Sequence, residues 1–246
     1  MKTLDGKVAI VTGSSKGIGA GIAFRMAAEG AKVIVNYSRS AADAEVVVRR
    51  IADEGGEAVA VRANIAEPAE VAGLVAAAIE RFGRLDILVN NAGVYKVDSL
   101  ETLTAESFDE HFNLNVRGLL LTTQAATRVM GSGAVIVNIS SGLAKSPYPV
   151  VHVYSATKGA VDTLTRSLGM ELGPRGIRVV GIAPGFVATE GNAESAKGMT
   201  DFLIGKTPLG RVGQPGDIAA AVAWAVSADA RWVTGTTIDV AGGMVF

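Results

Sequence analysis

Short runs of β-branched residues alternate with longer alanine-rich stretches along most of this 246-residue chain. The runs predict strands at residues 8–11, 32–35, 58–61, 85–89, 134–137, 178–182 and 237–240, and the stretches between them predict helices. Strands that are apolar on both faces need cover on both sides. The pattern therefore predicts an α/β fold, a doubly wound parallel sheet with helices on both faces.

Composition and charge limit what this chain can be. It is 49% hydrophobic and 19% charged, with a formal net charge of -1 and no cysteine. These values predict one globular domain over residues 1–246, with no basic face for nucleic acid, no membrane segment and no thiolate site. The two histidines, His111 and His152, lack the spacing of a metal site. We expect a cytoplasmic protein whose partners are small molecules and copies of itself.

One long irregular stretch follows the sixth predicted strand. Residues 186–212 are rich in Gly, Ser, Thr and Ala and have no clear helix or strand pattern. Long loops in compact domains usually have a function. We predict a lid over a substrate site, and the alternative is a surface excursion without a role.

A glycine-rich segment joins the first predicted strand to the first helix and reads Thr12-Gly-Ser-Ser-Lys-Gly17-Ile-Gly19. Unpaired backbone N–H groups at a helix start attract phosphate, and glycine allows a ligand to approach closely. Between a strand and a helix, the segment predicts a nucleotide site rather than only a tight turn. Its candidate contacts are Gly13, Ser15, Lys16, Gly17, Ile18 and Gly19.

The end of the second predicted strand bears on the choice of nucleotide. An NAD site has an acidic residue there, whereas this chain has Asn36-Tyr37-Ser38-Arg39. No carboxylate repels a 2′-phosphate, and Arg39 and Lys16 can offer charged donors to it. The segment predicts NADP(H) rather than NAD(H), and the alternative is that Arg39 is a solvated loop charge.

Tyr154 and Lys158 are four residues apart on a predicted helix at residues 154–172. This spacing places a phenol and an ammonium on one helix face. A nearby cation favours the phenolate, so we expect Lys158 to lower the pKa of Tyr154 and to suit it to acid or base chemistry. The pair alone is weak evidence, because a lysine stem often covers a helix surface.

Several motifs together resemble those of the classical short-chain dehydrogenases/reductases. They are Gly13-x-x-x-Gly17-x-Gly19, Asn90-Asn-Ala-Gly93, a serine thirteen residues before Tyr154, the Tyr154/Lys158 pair and Pro184-Gly185. Their order and spacing match the family from about Lys7 to Gly243. The resemblance implies a Rossmann fold and hydride transfer between a nicotinamide and a carbonyl or secondary alcohol.

The family's catalytic tetrad corresponds to Asn115, Ser141, Tyr154 and Lys158. By this resemblance Tyr154 is the proton donor in reduction, Ser141 orients the carbonyl oxygen and Lys158 also binds the nicotinamide ribose. Asn115 holds a water that connects Lys158 to solvent, and the alternative is a buried asparagine at a helix kink. Ser140 competes with Ser141, but the family's interval selects Ser141, and Ser140 should face the other way.

The resemblance also assigns the remaining cofactor contacts. They are Asn91, Ala92 and Gly93 on the adenine-ribose side, and Pro184, Gly185, Val187 and Thr189 on the nicotinamide half. Asn64-Ile65 stands where the family has an acidic and an apolar residue at the adenine ring, which implies altered bonding there. In the segment Asp239-Val-Ala241-Gly-Gly, Ala241 stands where an acidic residue often comes directly before the two glycines, and the effect of this departure on assembly stays open.

Among these enzymes the chain most resembles 3-oxoacyl-acyl-carrier-protein reductases. An acidic carrier protein needs a basic docking patch, but the segment before the serine strand has only Arg128, with Arg166 and Arg175 as further candidates. We therefore expect a carbonyl reductase with a 3-oxoacyl thioester as the first substrate candidate. A sugar dehydrogenase or a general ketone or alcohol dehydrogenase is the alternative.

If the loops fold as in the family, they form an apolar substrate pocket. The pocket residues would be Tyr95, Ser141, Leu143, Pro147, Tyr148, Val150, His152, Tyr154 and Phe186. His152 either hydrogen-bonds the substrate or is a pocket wall or solvent-facing residue.

A homotetramer is implied, with the helix at 154–172 and the apolar end Met244-Val-Phe246 at interfaces. A non-catalytic nucleotide-binding protein would share the fold but would not need the intact tetrad.

Overall fold

The computed structural model describes residues 2–190, 198 and 200–244. The strands in this part of the chain are β1 (Val8–Val11), β2 (Lys32–Tyr37), β3 (Glu57–Arg62), β4 (Ile87–Asn90), β5 (Val135–Ile139), β6 (Arg178–Pro184) and β7 (Thr236–Val240). They form one parallel sheet in the order β3-β2-β1-β4-β5-β6-β7. This order confirms the predicted doubly wound α/β fold.

The helices of the described residues are α1 (Gly17–Ala28), α2 (Ala41–Asp53), α3 (Pro68–Phe82), α4 (Ala105–Phe112), α5 (Leu119–Thr127), α6 (His152–Leu172), α7 (Thr200–Lys206) and α8 (Pro215–Val226). None of them combines the length and apolar character needed to cross a bilayer. The helix predicted over residues 108–130 is interrupted, because a π-helical turn at Asn113–Gly118 separates α4 from α5.

Helix α7 lies inside the stretch that the sequence predicts to be irregular. It has seven residues and buries only Leu203, whereas its Phe202 is 60% exposed. A helix this short, with one buried position, has too little periodic signal to be recognised in the sequence. Residues 191–197 and 199 of the predicted lid lie outside the described residues.

Two apolar layers cover the sheet, because successive strand side chains point to opposite faces. Ala9 and Val11 pack with α1 and α8 on one side, and Val8 and Ile10 pack with α3 on the other. All four side chains of β1 are buried. The carboxyl ends of the strands form one edge of the sheet, and the direction of winding reverses between β1 and β4, which is where ligands bind in such folds.

Candidate active site

The glycine-rich segment after β1 is held in place by the strands on either side of it. Gly13 N–H donates to Asn36 Oδ1 (3.1 Å), and Asn91 Nδ2 donates to the carbonyl oxygens of Thr12 (2.8 Å) and Gly13 (3.0 Å). Gly13 has a φ of 61°, and a Cβ there would lie 2.9 Å from Ala92 Cα. Only glycine fits this close crossing of the two chain segments.

The first turn of α1 offers unpaired donors beside this segment. Lys16 precedes the helix without a side-chain cap, and N–H groups at a helix start have no partner within the helix. Gly17 has a φ of 58°, and a Cβ there would reach to 3.4 Å from Thr189 Cγ2, across the space between α1 and the segment after β6. The backbone N–H groups at this helix start form a cradle of the kind that binds the diphosphate of a dinucleotide.

The side chain of Asn36, near the end of β2, is engaged within the protein. Its side chain is 2% exposed, and Nδ2 donates to the carbonyl oxygens of Ala63 (3.0 Å) and Val61 (3.3 Å) while Oδ1 accepts from Gly13. The Asn36 side chain therefore ties the glycine-rich segment to β2 and β3, and the place of this residue among the cofactor contacts stays a prediction. The strand alternation instead leaves Tyr37 half-buried at the end of β2, followed by the exposed residues Ser38 and Arg39.

Two further predicted adenine contacts have different surroundings. Asn64 Oδ1 accepts the N–H of Ala66 (3.2 Å) in a local turn, which commits part of its hydrogen-bonding capacity. The Ile65 side chain is buried in the core and would touch a Cβ at Gly118, at about 3.0 Å, so it faces away from the predicted groove. An apolar residue after a strand can equally serve the core, and the sequence alone does not distinguish the two.

The segment after β6 approaches the same edge of the sheet. Gly185 lies so close to β7 that a Cβ would be 2.9 Å from Ala241 Cα. Val187 is buried and pairs with Gly213 in an isolated parallel bridge. The predicted nicotinamide-side residues Pro184 to Thr189 therefore stand opposite the glycine-rich segment.

Three predicted catalytic side chains meet at the end of β5 and the start of α6. Lys158 Nζ lies 5.6 Å from the centroid of the Tyr154 ring and donates to the carbonyl oxygen of Ile139 (2.8 Å). Ser141 lies beside Tyr154, where its hydroxyl lowers the pKa of the phenol, and it accepts the N–H of Leu143 (3.2 Å). Ser140 is buried and donates instead to the carbonyl oxygen of Lys158 (3.3 Å), which agrees with its predicted separation from Ser141.

The pKa values of this group run against the expectation for Tyr154. Burial raises the pKa of Tyr154 to about 12, although the hydrogen bond with Ser141 lowers it, and nearby Tyr95 raises it further. Burial lowers the pKa of Lys158 to about 8, and the charge of Asp162 opposes that fall. The cost of removing the phenolate from water is the largest of these effects, so the pKa of Tyr154 rises where the sequence analysis expects it to fall.

Asn115 lies in the π-helical turn between α4 and α5, a distortion that is frequent at functional sites. Its Nδ2 donates to the carbonyl oxygen of Val94 (3.0 Å) and to Thr157 Oγ1 (3.1 Å), and its Oδ1 accepts the N–H of Val94 (2.8 Å). The side chain therefore fastens the segment after β4 to α6. The water relay stays a prediction, and only the second acceptor position of Oδ1 is left for it.

The loops around Tyr154 include contacts that the sequence does not reveal. The Tyr95 ring meets the Tyr154 ring edge-on at 4.8 Å. The N–H of Asp98 donates to the carbonyl oxygen of Val150 (2.8 Å), which joins the loop after β4 to the loop before α6. Val150 has a φ of 62° and is the one non-glycine residue with positive φ among the described residues.

The other predicted substrate residues surround this point at different depths. His152 is exposed at the first position of α6, which agrees with the solvent-facing alternative, whereas Leu143 and Phe186 are half-buried. Thr12 and Thr157 are missing from the sequence predictions. Both are buried, and they bond Asn91 and Asn115, but a lone threonine in an apolar run has no distinguishing pattern.

Comparison with known proteins agrees with this geometry. Residues 13–245 match the family described as Enoyl-(Acyl carrier protein) reductase. The chain is 49% identical to an uncharacterized oxidoreductase of Methylorubrum extorquens over 99% of its length and 100% of the relative's. It is 39% identical to glucose 1-dehydrogenase 2 of Bacillus subtilis (99% and 96% covered) and to a 3-oxoacyl-[acyl-carrier-protein] reductase of Synechocystis (100% and 99%).

A solved structure gives the same result in three dimensions. A short-chain dehydrogenase of Burkholderia cenocepacia in complex with NADP is 41% identical, with a TM-score of 0.94 over 98% of this chain and 99% of that one. The relatives carry different activity names, so the likeness defines the family but not one substrate. The chain belongs to the short-chain dehydrogenase/reductase family of oxidoreductases.

Proposed function

We propose that this protein transfers a hydride between NADP(H) and a carbonyl or secondary alcohol, with a 3-oxoacyl thioester as the first substrate class. The observation that carries the proposal is the grouping of Ser141, Tyr154 and Lys158 at the carboxyl edge of the sheet. The phosphate cradle at the start of α1 opens onto the same edge. The NADP held by the Burkholderia cenocepacia relative supports this choice of cofactor.

Tyr154 is the acid of this site in the direction of reduction. When bound, the nicotinamide supplies the hydride, and the alkoxide that forms needs a proton. With a pKa of about 12, the phenol keeps its proton at neutral pH and can donate it. The Ser141 hydroxyl stands beside the phenol, where it can orient the carbonyl oxygen and stabilise its developing charge.

Lys158 supplies charge and ribose binding. Its pKa of about 8 leaves it mostly protonated at neutral pH, so its ammonium favours the transfer of the Tyr154 proton. Its bond to the Ile139 carbonyl oxygen uses one of three donors and leaves two for ribose hydroxyls and a relay water. Asn115 fixes this end of α6 through Thr157.

Selection of NADP(H) rests on the loop after β2. Ser38 and Arg39 are exposed there, Lys16 is exposed at the start of α1, and the loop carries no carboxylate. A guanidinium and an ammonium near the adenosine ribose favour a 2′-phosphate. Because Asn36 is buried, this preference belongs to the loop and not to the strand end.

The rim around Tyr154 favours an apolar substrate over a sugar. The exposed large apolar residues on its two loops are Tyr95, Val97, Leu100, Tyr148 and Val150. A sugar would need several aligned polar donors and acceptors in their place. The three candidate cations for an acidic carrier protein, Arg128, Arg166 and Arg175, are all exposed, and Arg175 also donates to the carbonyl oxygens of Thr127 and Met130.

The test is turnover of a panel of 3-oxoacyl thioesters, diketones and sugars, followed by the absorbance of reduced nicotinamide with NADPH and NADH. We expect reduction of 3-oxoacyl thioesters and diketones, with NADPH preferred. Turnover of sugars alone would select the sugar dehydrogenase alternative. Binding of NADPH without turnover of any carbonyl or alcohol would select the non-catalytic alternative and reject the proposal.

Tyr154→Phe tests the acid directly, because it keeps the ring and removes the proton. We expect a loss of at least about 100-fold in kcat, the usual contribution of a positioned acid, with NADPH affinity retained in fluorescence titration. A substantial residual rate would remove Tyr154 from this role.

The proposed assembly is a homotetramer. Leu120 on α5 and Met170 on α6 are exposed apolar residues (37% and 80%), as expected of residues covered by another copy. Light scattering coupled to size exclusion measures the subunit count, and a monomer at micromolar concentration would contradict the proposal.

A further inference from the structure

Asp162 is a buried carboxylate that the mechanism above does not use. Asp162 lies on α6 and is 7% exposed, and its Oδ1 accepts a hydrogen bond from Thr237 Oγ1 of β7 (3.0 Å). A buried carboxylate is costly unless a cation or several donors compensate it. One hydroxyl is little compensation for an ionised group.

The nearest buried cation on the same helix face is Lys158. The two residues are one helical turn apart, at the i and i+4 spacing that brings side chains together, and Lys158 is 6% exposed. Their charges interact, because Asp162 opposes the fall in the pKa of Lys158 that burial causes. Each charge therefore compensates part of the other's loss of water.

Other ionisable groups near this pair are engaged elsewhere or do not carry the needed charge. Arg166, one turn further along α6, is exposed and bonds Thr163 Oγ1 (3.2 Å). Lys158 and Asp162 do not form a direct ion pair, so their charges act on each other through the buried space between them. On elements packed against α6, Asp239 pairs with Lys145, Glu110 pairs with Lys96, His111 bonds Ser107 and the N–H of Lys96, and Arg178 donates to the carbonyl oxygens of Val233 and Ser227. Tyr154 is a neutral phenol on the same helix.

We propose that Asp162 is the buried counter-ion of Lys158, a positioning residue that keeps the ammonium charged within the active site. The proposal rests on the proposed function for its kinetic consequence, but not for the charge coupling itself. Lys158 stays protonated in the pH range of catalysis because the carboxylate of Asp162 lies one helical turn further along α6. Thr237 holds that carboxylate in place from the neighbouring strand.

Asp162→Asn is the informative variant, because the amide keeps the size of the side chain and can still accept from Thr237. Loss of the negative charge lowers the pKa of Lys158 further. The alkaline limb of the pH profile of kcat/KM with NADPH should then move to lower pH by roughly one unit. Asp162→Glu, which restores the charge, should return the limb towards the wild-type position. A structural role alone would lower activity at every pH without moving the limb.

A second measurement separates this inference from the proposed function. The Lys158 side chain can be titrated by NMR of lysine labelled with ¹³C at Cε, with the signal assigned by its absence in Lys158→Met. We expect a midpoint near pH 8 in the wild type and a lower midpoint in Asp162→Asn. Equal midpoints would overturn the inference whether or not the protein reduces a carbonyl. A shifted midpoint in a protein without turnover would instead reject only the proposed function.

Discussion

The ring of Tyr95 meets the ring of Tyr154 edge-on, with centroids 4.8 Å apart and planes at 82°. This arrangement is the favoured one for two aromatic rings, since the positive edge of one faces the negative face of the other. Tyr95 thereby covers one side of the Tyr154 ring, and its charge when ionised raises the pKa of Tyr154. Tyr95 itself is 53% exposed at the rim of the proposed site. One residue thus affects both the shape of the proposed substrate site and the acidity of the proposed proton donor.

Replacing Tyr95 should lower the pKa of Tyr154. In Tyr95→Ala the phenol becomes more accessible to water, so we expect its pKa to fall from about 12 towards the ordinary value. Tyr95→Phe keeps the edge contact and removes only the second hydroxyl, so the fall should be smaller. Phenolate absorbance, titrated in each variant with and without Tyr154→Phe, measures the difference. Equal values in the two variants would show that the Tyr95 ring does not shield Tyr154.

Arg39→Asp should change the nucleotide preference. The variant replaces a charge-assisted donor with a repulsive carboxylate, so the kcat/KM ratio of NADPH to NADH should fall by at least about 10-fold. Arg49→Asp is a matched control, because it makes the same charge change at an exposed site on α2. If both variants change the ratio equally, the effect is one of net charge and Arg39 is not at the 2′-phosphate.

The buried Lys158 should make stability rise with pH over a defined range. Its pKa is about 8 in the native state, against 10.5 for the unperturbed side chain. Below pH 8 both states carry the proton and the native state bears the full cost of the buried charge. Between about pH 8 and 10.5 the unfolded chain binds more protons, so the free energy of unfolding increases.

Urea unfolding at a series of pH values measures this effect, with Lys158→Met as the reference. The wild type should gain up to about 3 kcal/mol relative to the variant across that range. The raised pKa of Tyr154 lowers the free energy of unfolding above about pH 10. This effect is present in both the wild type and Lys158→Met. A difference in the free energy of unfolding between the wild type and Lys158→Met that does not change with pH would mean that Lys158 is not desolvated in solution.

Val150 should be a site where a substitution stabilises the protein. A β-branched residue at a φ of 62° bears a steric cost of about 1–2 kcal/mol, whereas asparagine visits this region readily. Val150→Asn should raise Tm by about 1–4 °C. Val150→Ala keeps the Cβ responsible for the clash and should give no comparable increase in thermal unfolding. An equal response of the two variants would indicate that the backbone is not strained there.

The neighbours of Val150 explain why the strain persists. Pro147 and Pro149 restrict the backbone just before it, and the bond from Asp98 N–H holds its carbonyl oxygen just after. A conformation that is disfavoured locally survives only where its surroundings impose it. The sequence contains the two prolines but not the partner loop, so the strain could not be predicted from it.

The sequence by itself determined the elements, their order and the chemical identity of the site. The apolar runs at 8–11, 178–182 and 237–240 became β1, β6 and β7, because hydrophobic pattern and turn glycines act within a few residues of chain. Tyr154 and Lys158 share a helix face by their spacing, and the resemblance to a known family selected Ser141 by its interval from Tyr154. These are local properties, and they survive folding.

Only the tertiary structure decided which way the boundary residues face and which charges they meet. The sequence positions of Asn36 and Ile65 predict contacts with the cofactor. In the structure their side chains are buried, where Asn36 bonds Gly13 and Ile65 lies against Gly118. The direction of the Tyr154 pKa shift, and the effect of the Asp162 charge on Lys158, depend on how much water the packed helices and strands exclude. Desolvation and cross-strand hydrogen bonding arise between segments distant in the chain, so no local pattern contains them.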